Sequence, residues 1–188
     1  MKAAIFYATV EGQSERVARY IVDRLHQRRF HVDIFNVRDA GAIDWREYRA
    51  AFVVASVHAG HHEREMVRFV RTHRLELDRV NASFLSLTLS QAGAQDPAAP
   101  PEKRNAAAAD AQRMIDVFVE ETGWRPAYAL PVAGALAYSK YNFIKRWVMK
   151  RIARKAGGPT DTSRDYQFTD WAAVDGFVAS RVSLAVAS

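Results

Sequence analysis

Cysteine is absent from the 188 residues. This excludes a disulfide framework, a cysteine nucleophile, a zinc ribbon and a cysteine-ligated iron–sulfur cluster. Any redox chemistry therefore needs a non-covalently held cofactor. Long apolar runs are missing too: no stretch of about eighteen exists, so no helix is expected to span a bilayer. The opening residues Met1-Lys2-Ala3-Ala4-Ile5-Phe6-Tyr7 lack the apolar region and cleavage site of a signal peptide. The expectation is a cytoplasmic protein, or one lying on the cytoplasmic face of the inner membrane. After the first apolar run neither G-x-G-x-x-G nor G-x-x-x-x-G-K-[ST] occurs, which disfavours Rossmann-type dinucleotide and Walker-type nucleotide binding.

What is present reads as one domain, at about 150 residues each. Residues 1–182 form it, 135–168 are an insert within it, and 183–188 are a tail. A chain of this length buries roughly 70% of its unfolded surface, so it folds without a disulfide or structural metal. An apolar fraction of 49% is ordinary for a globular protein. The net charge is +6 and the pI near 9.8, pointing to an anionic partner.

Strands and helices alternate. Ala3–Ala8 is a continuous apolar run, as expected of a strand buried on both faces. From Ser14 the spacing turns helical, with Val17, Ala18, Ile21, Val22 and Leu25 on one side. Strands follow at His31–Phe35, Ala50–Val57 and Ala82–Leu89, with a helix from Glu63 to about Leu75 between the last two. Gln91–Pro101 reads as a loop, Glu102–Glu121 as a helix stopped by Gly123, and Ala127–Gly134 as a fifth strand. Pro131 puts that strand at a sheet edge. A last helix starts near Asp170. The pattern predicts an α/β three-layer sandwich whose five-stranded parallel sheet has the order 2-1-3-4-5. Ligand then binds beyond the carboxyl ends of strands one and three. Residues 135–168 are too long and too patterned for a plain connection.

Thr9-Val10-Glu11-Gly12-Gln13-Ser14 opens the first helix. Hydroxyls of Thr9 and Ser14, with amides around Gly12, suit one phosphate; helix capping by Ser14 is the competing reading. Glu11 has to turn its carboxylate away from any such anion. Two more loops share this edge, Ser56–His62 and Ser86–Gln91.

These loops belong to a wider set: Thr9-x-Glu-Gly-Gln-Ser, Ala55-Ser56, Gly60-His61, Trp124-Arg125-Pro126, Ala133-Gly134-Ala135-Leu136, Gly157-Gly158, Thr160-Asp161-Thr162 and Thr169-Asp170-Trp171. In order and spacing, from residue 1 to about 180, the set resembles the menaquinone-dependent protoporphyrinogen oxidases, flavodoxin-like FMN proteins of haem biosynthesis. The resemblance implies FMN, protoporphyrinogen IX as substrate, and menaquinone or another quinone as acceptor. It places the FMN phosphate on Thr9, Val10, Glu11, Gly12, Gln13 and Ser14. It flanks the ring with Ser56, Val57, His58, Ala59 and Gly60, with Ser86, Leu87, Thr88 and Leu89, and with Gly134, Ala135 and Leu136. The family often has Arg and Tyr where this chain has His58 and Ala59. His58 and Tyr138 are the candidate catalytic residues.

Residues 138–156 hold seven Lys and Arg and no acid, leaving −1 of the +6 for the rest of the chain. On a helical wheel Phe143, Ile144, Trp147, Val148 and Ile152 share a face. Lys140, Lys145, Arg146, Trp147, Lys150 and Arg151 are the candidates for contact with an anionic membrane surface or an anionic substrate. An insert packed on its own domain with a solvated basic face is the plainer reading. His58, His61, His62 and Glu65 fit no known ligand spacing, so no metal is expected. Nucleic acid is not expected as a partner, and a homo-oligomer is compatible with the sequence. Two other functions compete: a flavodoxin-type electron carrier, typically acidic, and an NAD(P)H–quinone reductase.

Overall fold

A computed structural model describes residues 1–143, 146, 147, 150, 151 and 160–187. Its strands are β1 (Lys2–Tyr7), β2 (His31–Asn36), β3 (Ala50–His58), β4 (His61–His62), β5 (Ser83–Thr88), β6 (Tyr128–Ala133), β7 (Ala135–Leu136) and β8 (Tyr166–Gln167). Its helices are α1 (Gln13–Gln27), α2 (Arg64–Arg79), α3 (Leu89–Gln95), α4 (Pro101–Thr122) and α5 (Trp171–Ala187).

The main sheet runs β2-β1-β3-β5-β6, all parallel. With the two-residue β4 set aside, this is the expected 2-1-3-4-5 order. The period of two along β1 sorts its side chains between two cores. Ala3, Ile5 and Tyr7 pack with Val17, Ala18 and Ile21 of α1 and Val174 and Val178 of α5. Ala4 and Phe6 face Met66, Phe69 and Val70 of α2 and Phe118 of α4. Each large side chain buried this way stabilises the fold by roughly 1.5–3 kcal/mol. The two apolar layers explain why β1 and β3 carry almost no polar residue. Pro131 lies in β6, at the sheet edge, where its missing N–H costs no ladder bond. Gly123 caps α4 with φ 68°, donating its N–H to the Val119 carbonyl at 2.8 Å.

Three expectations need correction. The stretch from Gln91 is not all loop: α3 occupies it up to Gln95, with Thr88 Oγ1 accepting the Ser90 N–H at 3.2 Å. Its Ala and Gly residues give no apolar periodicity, and packing on α4 makes the helix. A Cβ at Gly93 would lie 3.3 Å from the Ala107 methyl, so the close approach depends on small residues. The final helix also continues to Ala187, past the boundary drawn at residue 182. The 135–168 segment, expected as a basic helical insert, is helical only in part: an antiparallel β7–β8 pair brackets it, with Tyr138–Lys140 as a 3-10 turn. Phe143, Arg146, Trp147, Lys150 and Arg151 are helical. Ile144, Lys145, Val148, Ile152, Gly157 and Gly158 lie outside the described residues. Among the described residues, no helix is long and apolar enough to cross a membrane.

Candidate functional site

β1 and β3 end side by side, and the loops beyond them form the crevice. The chain leaves β1 through Thr9 and turns at Gly12, whose φ of 95° suits glycine. The Gly12 N–H donates to Thr9 Oγ1 at 2.7 Å, which leaves the Thr9 hydroxyl proton free to point outward. Beyond Gly12 the first N–H groups of α1 have no carbonyl a turn earlier to bond, a ready anion site. The Ser14 side chain is not a helix cap: its Oγ is fully buried and bonds to no protein group. A buried hydroxyl left unpaired is costly unless a ligand meets it.

Two further contacts complete this corner. Lys140 Nζ donates to the Glu11 carbonyl at 2.5 Å and would touch a Cβ at Gly12, 2.9 Å away. Lys140 was expected at a membrane or substrate surface; the 3-10 turn carries its ammonium onto the Thr9–Ser14 loop. Tyr141 donates its hydroxyl to Glu11 Oε2 at 3.0 Å, so the carboxylate turns away from the loop as required. Burial, and then the neighbouring Glu11 charge, push the Tyr141 phenol well above its ordinary pKa, so it remains a donor. Gln13 Nε2 bonds Thr169 Oγ1 at 2.8 Å, and Thr169 bonds the Ala133 carbonyl at 2.8 Å, which ties α1 to the end of β6. Ala135 and Leu136 join Glu11, Gly12 and Lys140 around a cleft of about 260 Å³. Gly134 donates to the Thr88 carbonyl at 3.0 Å, holding the β6 end against the β5 end.

The second loop is a tight hairpin. His58 pairs with His61, and Ala59 and Gly60 both have positive φ, 52° and 85°, as a two-residue turn between twisted strands demands. Glu63 fixes its base. This buried carboxylate accepts the Ser56 N–H at 2.9 Å and the Ser56 hydroxyl at 2.5 Å. Ser56 is therefore committed to Glu63 and supports the hairpin from behind. His58 Nε2 lies 3.1 Å from Ser56 Oγ and 3.7 Å from Glu63 Oε1, while the ring reaches the crevice.

Four other residues expected at the ligand are turned elsewhere. Ser86 is fully buried with its hydroxyl 2.9 Å from His62 Nε2, and Leu87 belongs to the α1-side core. Thr88 caps α3, which leaves Leu89 and the first turn of α3 as the edge of the third loop. Tyr138 has no exposed surface: it packs at 5.8 Å from Tyr141 and 6.2 Å from Tyr166, a core position for a proposed catalytic group. The histidines diverge, His61 to Glu121 at 2.8 Å and His62 into the core between Phe84 and Phe118. No metal-binding cluster forms among the described residues.

Within the basic segment, Arg146 turns inward and donates to the carbonyls of Tyr138 and Tyr141, both at 3.2 Å, instead of facing a surface. Phe143 and Trp147 are 81% and 62% exposed, with Arg151 stacked 5.7 Å from the Trp147 ring. Glu63, Tyr141 and Thr169 were not anticipated in these roles. The Ser56–Glu63 spacing carries no periodic signal, and Tyr141 lies in a segment dominated by its cations.

The flavodoxin domain family matches residues 4–163. The protoporphyrinogen IX dehydrogenase [quinone] of Escherichia coli K12 is 30% identical over 177 residues, 94% of this chain and 92% of that one. The Leishmania major protein of the same name is 27% identical over 187 residues, covering 99% of this chain and 77% of the other. Among solved structures, a short-chain flavodoxin associated with a non-canonical PDU bacterial microcompartment superposes with TM-score 0.54 at 13% identity, over 98% of this chain and 99% of the other. Oxidised flavodoxin 1 from Bacillus cereus gives 0.50 at 15% identity, over 97% and 98%.

Proposed function

The chain belongs to the flavodoxin domain family, among the quinone-dependent protoporphyrinogen IX dehydrogenases, and from that premise we propose that it oxidises protoporphyrinogen IX with bound FMN and a quinone as acceptor. The observation that carries this reading is a likeness to the two dehydrogenases that runs nearly end to end, the basic segment included.

The residues present fit FMN. The buried, unpartnered Ser14 hydroxyl, the Thr9 hydroxyl, the open amides of α1 and the Lys140 ammonium would hold its phosphate. The Val57–Gly60 hairpin and the Leu89 turn would flank the ring. When bound, FMN supplies the acceptor for hydrogen taken from the substrate and the relay to quinone. The chain's own part is positioning and proton handling. With Nε2 turned to Ser56 and Glu63, His58 lines the crevice as the chain's candidate for handling the substrate's proton. The exposed Phe143 and Trp147, with Lys150 and Arg151 beside them, would rest on an anionic membrane surface and bring the crevice toward quinone.

The test is anaerobic turnover of FMN-loaded protein with protoporphyrinogen IX and a soluble menaquinone analogue. Porphyrin fluorescence well above flavin-only controls is expected. Flavin binding without porphyrin formation would overturn the reaction and leave the fold.

A further inference from the structure

Arg64, Arg68 and Arg71 stand at i, i+4 and i+7 of α2, so they share one face of the helix, and all three are exposed. They line a cleft of about 1070 Å³ whose other walls include Val10 of the phosphate loop and His58 of the hairpin. That volume is at the upper end of ligand pockets, roughly 300–1,000 Å³. The carboxylates lining it are engaged: Glu65 with Arg38 at 3.4 Å, Glu121 with His61 at 2.8 Å, and Glu63 with Ser56. Among the described residues, the guanidinium groups of Arg64, Arg68 and Arg71 make no hydrogen bond or ion pair. Like charges one turn apart repel and weaken a helix. Among the described residues no carboxylate pairs with these three directly, whereas an anion with several oxygens would.

We propose that this arginine face seats the propionate carboxylates of the tetrapyrrole, with the macrocycle lying over Val10 and His58. The proposal rests on the function assigned above. It extends that function by naming where the substrate's charge is read, which is α2 and not the basic segment. Guanidinium forks hold carboxylates in two-point contacts that lysines cannot match. Arg64 and Arg71 are about 10 Å apart along the helix axis, so neighbouring carboxylates can each find a partner. Val10, 56% exposed, offers apolar contact on the side of the cofactor loop, and His58 lines the same space. A substrate anchored at α2 would therefore reach across to the loops assigned to the flavin.

The experiment compares the FMN-loaded wild type with an Arg64→Gln/Arg68→Gln/Arg71→Gln variant, using protoporphyrinogen IX and its dimethyl ester. The ester has the same macrocycle and no carboxylate. The variant is expected to raise KM for the diacid roughly tenfold or more, the loss of charged hydrogen bonds, and to erase the wild-type preference for diacid over ester. The FMN dissociation constant reports whether the variant still folds. An unchanged diacid KM, or an equal loss for diacid and ester, overturns the arginine site. Titration with protoporphyrin IX, followed by its fluorescence, separates this from failure of the assigned reaction. Binding that the variant loses, with no wild-type turnover, overturns the reaction and keeps the site. No binding by the wild type overturns both.

Discussion

The Tyr141 hydroxyl donates to the Glu11 carboxylate at 3.0 Å, and this one bond reconciles an acidic residue with a loop built for an anion. Residues 11 and 141 lie at opposite ends of the chain's α/β unit. The β7 strand and the turn after it bring them together. In Tyr141→Phe the carboxylate loses this donor, which weakens the hold that keeps its charge off the anion-binding loop. FMN affinity should fall about tenfold, in line with 1.5 kcal/mol for a charge-assisted bond. Adding Glu11→Gln to that variant should restore most of it. Flavin fluorescence quenching measures both, and a double variant no better than Tyr141→Phe alone would refute the steering role.

Ser14→Ala gives effects of opposite sign on two measurements. The hydroxyl is buried without a protein partner, so its removal should leave the flavin-free protein as stable as before, or up to about 1 kcal/mol more stable. A helix cap would instead lose about 1 kcal/mol. FMN should bind roughly tenfold more weakly, since a buried hydrogen bond to the phosphate is lost. Thermal unfolding without flavin and a flavin titration together decide the matter. A destabilised variant with normal flavin affinity would return Ser14 to the role of cap.

His62 is a titration switch on stability. Burial, and then the neighbouring His58 and His61, hold its pKa down to about 3 from the ordinary 6.5. Below pH 6.5 the unfolded chain takes up a proton that the fold refuses. Stability therefore falls as pH drops from about 6.5 toward 3, by up to about 1.4 kcal/mol per pH unit for this group. Urea unfolding at pH 7.5 and 5.5 should show the wild type losing roughly 1 kcal/mol more than His62→Gln. Parallel losses in the two proteins would mean that the ring does not govern this window.

Much of this molecule is visible in its residue pattern, for reasons that also mark where the pattern stops. β1 and β3 are buried on both faces, so their sequences are apolar runs with no other plausible fate. α1 and α2 pack one face each and show it at helical spacing. α3 packs through Ala and Gly, which carry little apolar signal, so the stretch reads as loop. The loop proposed for the phosphate, Thr9–Ser14, is local in sequence, so its turn at Gly12 and the start of α1 are visible in a short motif. Thr169, Tyr141 and the inward turn of Arg146 are long-range or backbone-directed contacts around the β7–β8 pair, and Glu63 meets Ser56 only because the β3–β4 hairpin folds back. Ser86 and Tyr138 mislead because a polar residue at a strand end or after the sheet edge has the same sequence signature whether it faces ligand or core.

The basic segment yields a test that avoids the residues with structural duties. Charge reversal at Arg146 would break its bonds to the Tyr138 and Tyr141 carbonyls, so a loss of membrane binding there would be ambiguous. Phe143 and Trp147 are exposed, four residues apart and therefore on one helix face. Each contributes up to about 1.5–3 kcal/mol if it leaves water for the lipid interface. Lys150 and Arg151 add about 1 kcal/mol each near an anionic leaflet, a share that salt screens. Phe143→Ser/Trp147→Ser should cut co-sedimentation with anionic vesicles at least tenfold, corresponding to about 1.4 kcal/mol, while sparing FMN affinity. Raising salt should weaken the wild type in part and remove most of what binding the variant retains, which rests on its cations. If the variant sediments as well as the wild type, the two aromatics are merely solvent-exposed and the membrane reading fails. If salt alone abolishes wild-type binding, the contact is electrostatic and the aromatics have no part in it.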